Sequence, residues 1–78
     1  MRKYIRFEEI GIFTFDKKLQ HSDVAKRFSE FKPISAGFTM YDRVSDKVVC
    51  FGDSMTLGIE AKEDDTEILY QQLTRHTA

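Results

Sequence analysis

The chain has 78 residues, 41% of them hydrophobic, with seven Phe and three Tyr against four Gly and one Pro. That composition belongs to a folded globular protein and not to a disordered segment. A chain this short buries only about 60–65% of its unfolded surface, which fits one domain over residues 1–78 and argues against a second lobe. The net charge of −1 points to neither a nucleic-acid nor an acidic partner, but residues 1–43 sum to +3 and residues 44–78 to −4, an asymmetry that reads either as a mixed solvated surface whose halves differ by chance or as an attraction between the halves, within a domain or between copies.

In chain order, Lys3 to Glu8 alternate, with Ile5 and Phe7 on one side and Tyr4, Arg6 and Glu8 on the other, the period of a half-buried strand. Ile10 to Phe15 continue in that style, and Glu8-Glu9 reads equally as a turn or a bulge. Ser22-Asp23 has the chemistry of a helix start, a hydroxyl cap followed by an acid. The helix runs from Asp23 to about Phe31, with Val24, Phe28 and Phe31 on one stripe, until Pro33 ends it. Ile34 to Tyr41 alternate again, Ile34, Ala36, Phe38 and Met40 facing one way. Val44 to Lys47 supply a turn, and Lys47 to Phe51 return as the hairpin partner. Residues 47–60 read as one long bulged strand or as two strands with a tight Gly52-Asp53-Ser54 turn; two are preferred, since Asp53 otherwise sits in an apolar row. Glu63-Asp64-Asp65 opens a second helix with Ile68, Leu69 and Leu73 facing the core and Arg75 and His76 at its negative end. The expected fold is α+β, in the order β-β-α-β-β-β-α, with a mainly antiparallel sheet and two helices packed on one face.

No stretch approaches the about 20 apolar residues of a membrane span. The basic start meets Arg6, Glu8 and Glu9 before an apolar signal region can form. A single Cys50 and two distant histidines make neither a disulfide nor a zinc-type ligand set. A cytoplasmic protein without metal or cofactor is expected. Cys50, between Val49 and Phe51, reads as a packed thiol, His21 as a residue at the helix entry, and Glu63-Asp64-Asp65, lacking the glycine turn of a calcium loop, as dipole complement.

Phe51-Gly52-Asp53-Ser54-Met55-Thr56-Leu57-Gly58 resembles the nucleophile block of the GDSL (SGNH) hydrolases, a resemblance that implies Ser54 as a nucleophile. That family draws its base from a C-terminal Asp-x-x-His, and here the position three before His76 holds Leu73. A serine without a base and oxyanion donors is not a nucleophile, so no catalytic residue is assigned.

Two non-enzymatic readings compete. Opposite the expected core, the strands display Ser35, Gly37, Thr39, Cys50, Gly52, Ser54, Thr56 and Gly58, small residues where solvent faces usually carry long charged ones. That surface admits close approach by a partner, either a second copy in a homodimer or another protein. Alternatively Arg2, Lys3, Arg6, Lys17 and Lys18, with Tyr4 and Tyr41 interleaved, contact nucleic acid.

Finally, Gln20-His21-Ser22-Asp23-Val24-Ala25, Pro33-Ile34-Ser35-Ala36-Gly37-Phe38, Cys50-Phe51-Gly52-Asp53-Ser54 with Leu57-Gly58-Ile59, and Glu63-Asp64-Asp65-Thr66 resemble small bacterial proteins carried on phages, prophages and integron cassettes. The resemblance implies a mobile-element accessory protein, with no catalytic residue or cofactor to carry over.

Overall fold

The computed structural model describes residues 1–75. In chain order these form β1 (Arg2–Phe7), β2 (Gly11–Asp16), α1 (His21–Arg27), β3 (Pro33–Asp42), β4 (Lys47–Phe51), β5 (Asp53–Ser54), β6 (Ile59–Glu60) and α2 (Asp65–Arg75). The fold is α+β. Four antiparallel strands lie in the order β2-β1-β3-β4, and β5 and β6 form a separate two-stranded ribbon. Glu8-Glu9-Ile10 is a turn, closed by Gly11 at φ +84°, opposite Phe7. β2 and β3 both run antiparallel to β1, so they are parallel to each other, and α1 is the crossover that carries the chain over β1.

The two helices do not share a face. The strand registers put Ile5, Phe7, Phe13, Phe15, Ala36 and Phe38 on one side of the sheet and Tyr4, Arg6, Ile12, Ser35, Gly37 and Thr39 on the other. α1 and the ribbon cover the first side: Val24, Ala25, Phe28, Phe31, Leu57 and Ile59 pack with Ile5, Phe7, Phe15 and Ala36. α2 covers the second, with Leu69 and Ile68 against Tyr4, Ile12, Val48 and Cys50. Expecting both helices on one face went wrong because Tyr4 looks like a solvent-facing residue by period, whereas it and Ile5 are both 0% exposed. Two polar groups draw α2 onto that side, the Tyr4 hydroxyl and Arg6, and hydrophobic alternation does not register them.

Both helices also differ in detail from expectation. α1 begins at His21, after Gln20, with no side-chain cap, so Ser22 is inside the helix. His21 is pulled into the core between Phe15 and Phe38, at ring distances of 5.5 and 5.9 Å, and this fixes the start. The helix ends at Arg27, and Phe28 and Phe31 reach Phe7 from the turn that follows. In α2 the sheet-facing positions are Asp65, Ile68, Leu69 and Gln72, while Leu73 is 52% exposed. The spacing is helical, but two of the four are polar. His76 lies outside the described residues. The break expected near Gly52 is present, at φ +83°, yet Asp53-Ser54 form a strand and the turn falls at residues 55–58.

Candidate functional site

The eight small residues do not make one surface. Ser35, Gly37 and Thr39 are buried and Cys50 is half-buried: Ser35 and Cys50 bond Asp65 and Thr66 of α2, while Gly37 lies against the Phe51-Gly52 backbone at the end of β4. Small residues opposite one another do mark a close approach, and here what approaches belongs to the same chain, α2 at Ser35 and Cys50 and the backbone leaving β4 at Gly37. Beyond Gly52 the positive φ turns the backbone off β4, so Gly52, Ser54, Thr56 and Gly58 lie in the ribbon. Thr56 Oγ1 accepts the Ser22 N–H at 3.2 Å, which ties that ribbon to α1.

What locks α2 down is a buried carboxylate. Asp65 is 0% exposed. Its Oδ1 accepts from Arg6 Nη1 at 3.0 Å and from Ser35 Oγ at 2.9 Å; its Oδ2 accepts from the Tyr4 hydroxyl and from the Lys62 N–H at 2.9 Å. Arg6 also bonds the exposed Asp64 at 2.9 Å. Burial pushes the Asp65 carboxyl upward, but these four donors outweigh it and hold the group below the usual carboxylate range. Burial and the same contact raise the Tyr4 phenol. A carboxylate with about four lone-pair sites and four donors has none left for a substrate proton or a metal, so this constellation is a structural anchor. Sequence reading missed it because its members are up to 61 positions apart.

Ser54, in the hydrolase-like block, is 2% exposed, and its Oγ accepts the Leu57 N–H at 3.2 Å, the geometry of a local turn. The nearest described histidine in sequence, His21, places Nε2 at 2.9 Å from the Gly37 carbonyl oxygen. A carbonyl only accepts, so Nε2 carries the proton and is not a base. Burial, partly offset by that bond, lowers the His21 pKa and keeps the ring neutral near pH 7. Cys50 is likewise inert: burial, reinforced by the charge of Asp65, pushes its thiol up to about 11. Beside Ser54 a cleft of about 840 Å³ is lined by Ile34, Asp53, Ile59, Glu60 and Glu63. Asp53 and Glu60 face each other directly across the ribbon, a like-charge rung that costs stability.

The basic residues are partly gathered. Arg2 pairs across to Asp16, immediately before Lys17 and Lys18, so Arg2, Lys3, Lys17 and Lys18 sit at one end of the β1–β2 hairpin. Arg6 is not with them, being committed to Asp64 and Asp65, and Lys3 Nζ is held by the Leu19 carbonyl at 2.8 Å.

One part of the sheet lacks a layer. On the α1 side, Phe38 faces Phe51 and Met40 faces Val49 across β3 and β4, with the two rings 6.1 Å apart. α1 and the ribbon stop short of this end, leaving Met40 47% and Phe51 37% exposed. Sequence reading placed Phe38 and Met40 on the core face correctly, but no local signal says how far a seven-residue helix extends over a ten-residue strand.

Among the described residues no helix is long and apolar enough to cross a membrane, and no three His, Cys, Asp or Glu side chains converge to hold a metal. Searches of protein-family models, curated proteins and solved structures find no match to this chain.

Proposed function

We propose that this protein is a non-catalytic interaction module of the bacterial cytoplasm that self-associates through the bare apolar end of its sheet. The observation that carries the reading is the contiguous set Phe38, Met40, Val49 and Phe51, two directly opposed cross-strand pairs: His21 of α1 reaches the Phe38 ring, Val49 is half-buried, and Met40 and Phe51 are exposed beyond it. A two-fold axis through this set covers it with its own counterpart, apolar on apolar, and leaves the Asp42–Lys47 rung as a polar rim. A small chain gains buried area by doing so. The resemblance to mobile-element accessory proteins gives this reading its biological setting.

Sedimentation velocity from micromolar to near-millimolar concentration tests the reading. A concentration-dependent dimer is expected, weak because the patch is small, and Met40→Lys should weaken it by about tenfold or more through burial of an unpaired charge. A wild type that stays monomeric throughout this range would overturn the proposal.

Its non-catalytic half has a separate check. Incubation with a fluorophosphonate probe and a short-chain nitrophenyl ester is expected to give neither labelling nor turnover, and Ser54→Ala to lose only about 1 kcal/mol with its turn hydrogen bond. Stoichiometric labelling abolished in Ser54→Ala would restore the hydrolase reading.

A further inference from the structure

Gln72 departs from the pattern of its helix, a polar residue at a sheet-facing position, and its amide has an unusual set of partners. Its Oε1 accepts the Ile12 N–H at 2.7 Å and its Nε2 donates to the Ile12 carbonyl at 3.0 Å. β2 is an edge strand, and Ile12 turns both backbone groups outward, away from β1. The primary amide therefore occupies the place of one residue of a neighbouring strand, bond for bond. The site is built around it: Gly11 leaves room where a Cβ would come within 2.5 Å of Gln72 Oε1. At the opposite edge the same helix supplies a second plug, Thr66 Oγ1 accepting the outward Cys50 N–H at 2.9 Å. α2 thus crosses the sheet and stops a ladder position on each edge, which is how native sheets avoid pairing edge to edge.

We infer that the β2 edge is a docking site for the β2 strand of a second copy, held shut by Gln72. By the period of two, Thr14 also presents its amide outward, and among the described residues no side chain caps it. Antiparallel pairing about Thr14 sets Phe13 of each copy opposite Phe15 of the other, so the strand is self-complementary on its apolar side. Phe13 is 41% exposed and already stacks on Phe15 at 6.2 Å. The amide of Gln72 stands at Ile12, one ladder step from that axis, and blocks the pairing. This edge is distinct from the apolar end at Met40, and the inference does not depend on it.

Two measurements test it. In dilute wild-type protein the Ile12 amide should exchange at least about tenfold more slowly than the outward Thr14 amide, since only the former is bonded. Equal protection would overturn the guard. In Gln72→Leu, which keeps helix propensity and bulk, self-association should strengthen about tenfold or more over wild type, and adding Thr14→Pro, which deletes the outward donor of an edge strand, should return it to the wild-type level. Unchanged association in Gln72→Leu, or association that survives Thr14→Pro, would sink the proposal.

Discussion

Asp65→Ala is expected to remove about 3–5 kcal/mol of folding free energy, most of what a domain of this size possesses. Deleting the carboxylate leaves the Tyr4 hydroxyl, the Arg6 guanidinium, the Ser35 hydroxyl and the Lys62 N–H without their acceptor, three of the four from residues of the sheet that α2 covers. The cost is that of unsatisfied buried donors and a cation that has lost its buried partner. Asp65→Asn should fare little better, because its amide has one acceptor oxygen and turns donors toward donors. Asp64→Asn is the matched control: Asp64 bonds the same guanidinium, but its side chain is 60% exposed, so its loss should cost no more than about 1 kcal/mol. Urea denaturation of the three variants gives the ranking, and equal losses at positions 64 and 65 would contradict it.

The same anchor sets the response to acid. The folded pKa of Asp65 is depressed, after hydrogen bonding overcomes the burial penalty. Its contribution is therefore fully present above the unfolded carboxylate value of about 4 and fades as pH falls through the folded value. Asp65→Asn should show a flatter loss of stability below pH 4 than the wild type.

The chain shows its elements more plainly than their assembly. Period-two runs placed β1, β2, β3 and β4 within a residue or two, since alternation of Ile5 with Tyr4, or of Ala36 with Ser35, records which residues share a face. Alternation does not say whether the second face is wet. Tyr4, Arg6 and Ser35 look like an outer face until Asp65, far along the chain, proves to be their common acceptor. Leu73 is the apolar candidate for the inner face of α2, yet the helix rolls to put Gln72 there, because an unpaired edge at Ile12 gains two hydrogen bonds from an amide and none from leucine. The small-residue surface failed for the same reason: small side chains report that something lies close, not what it is. The bare end at Met40 and Phe51 depends on where α1 stops, and that is decided by His21 and Phe28 in three dimensions.

Gly37→Ala should be among the most damaging single-methyl additions in the chain, at about 3 kcal/mol or more. Gly37 lies in the middle of β3, where the chain leaving β4 folds back, and a Cβ placed there would overlap the Phe51 carbonyl oxygen and sit 3.1 Å from the Phe51 carbonyl carbon and 3.3 Å from the Gly52 carbonyl carbon. These are backbone atoms, so relief requires moving β4 or reversing the turn at Gly52, where φ is +83°. The Gly37 carbonyl is also the acceptor for His21 Nε2, which couples any shift of β3 to the start of α1. Gly58 gives the contrast. Its φ is +68°, but nothing lies within 4 Å of an added Cβ, so Gly58→Ala meets only left-handed strain of about 1–2 kcal/mol. One glycine is required for space and the other for conformation. Thermal or urea unfolding should therefore rank Gly37→Ala well below Gly58→Ala, and the reverse order would mean that β4 gives way more easily than its pairing with β3 implies.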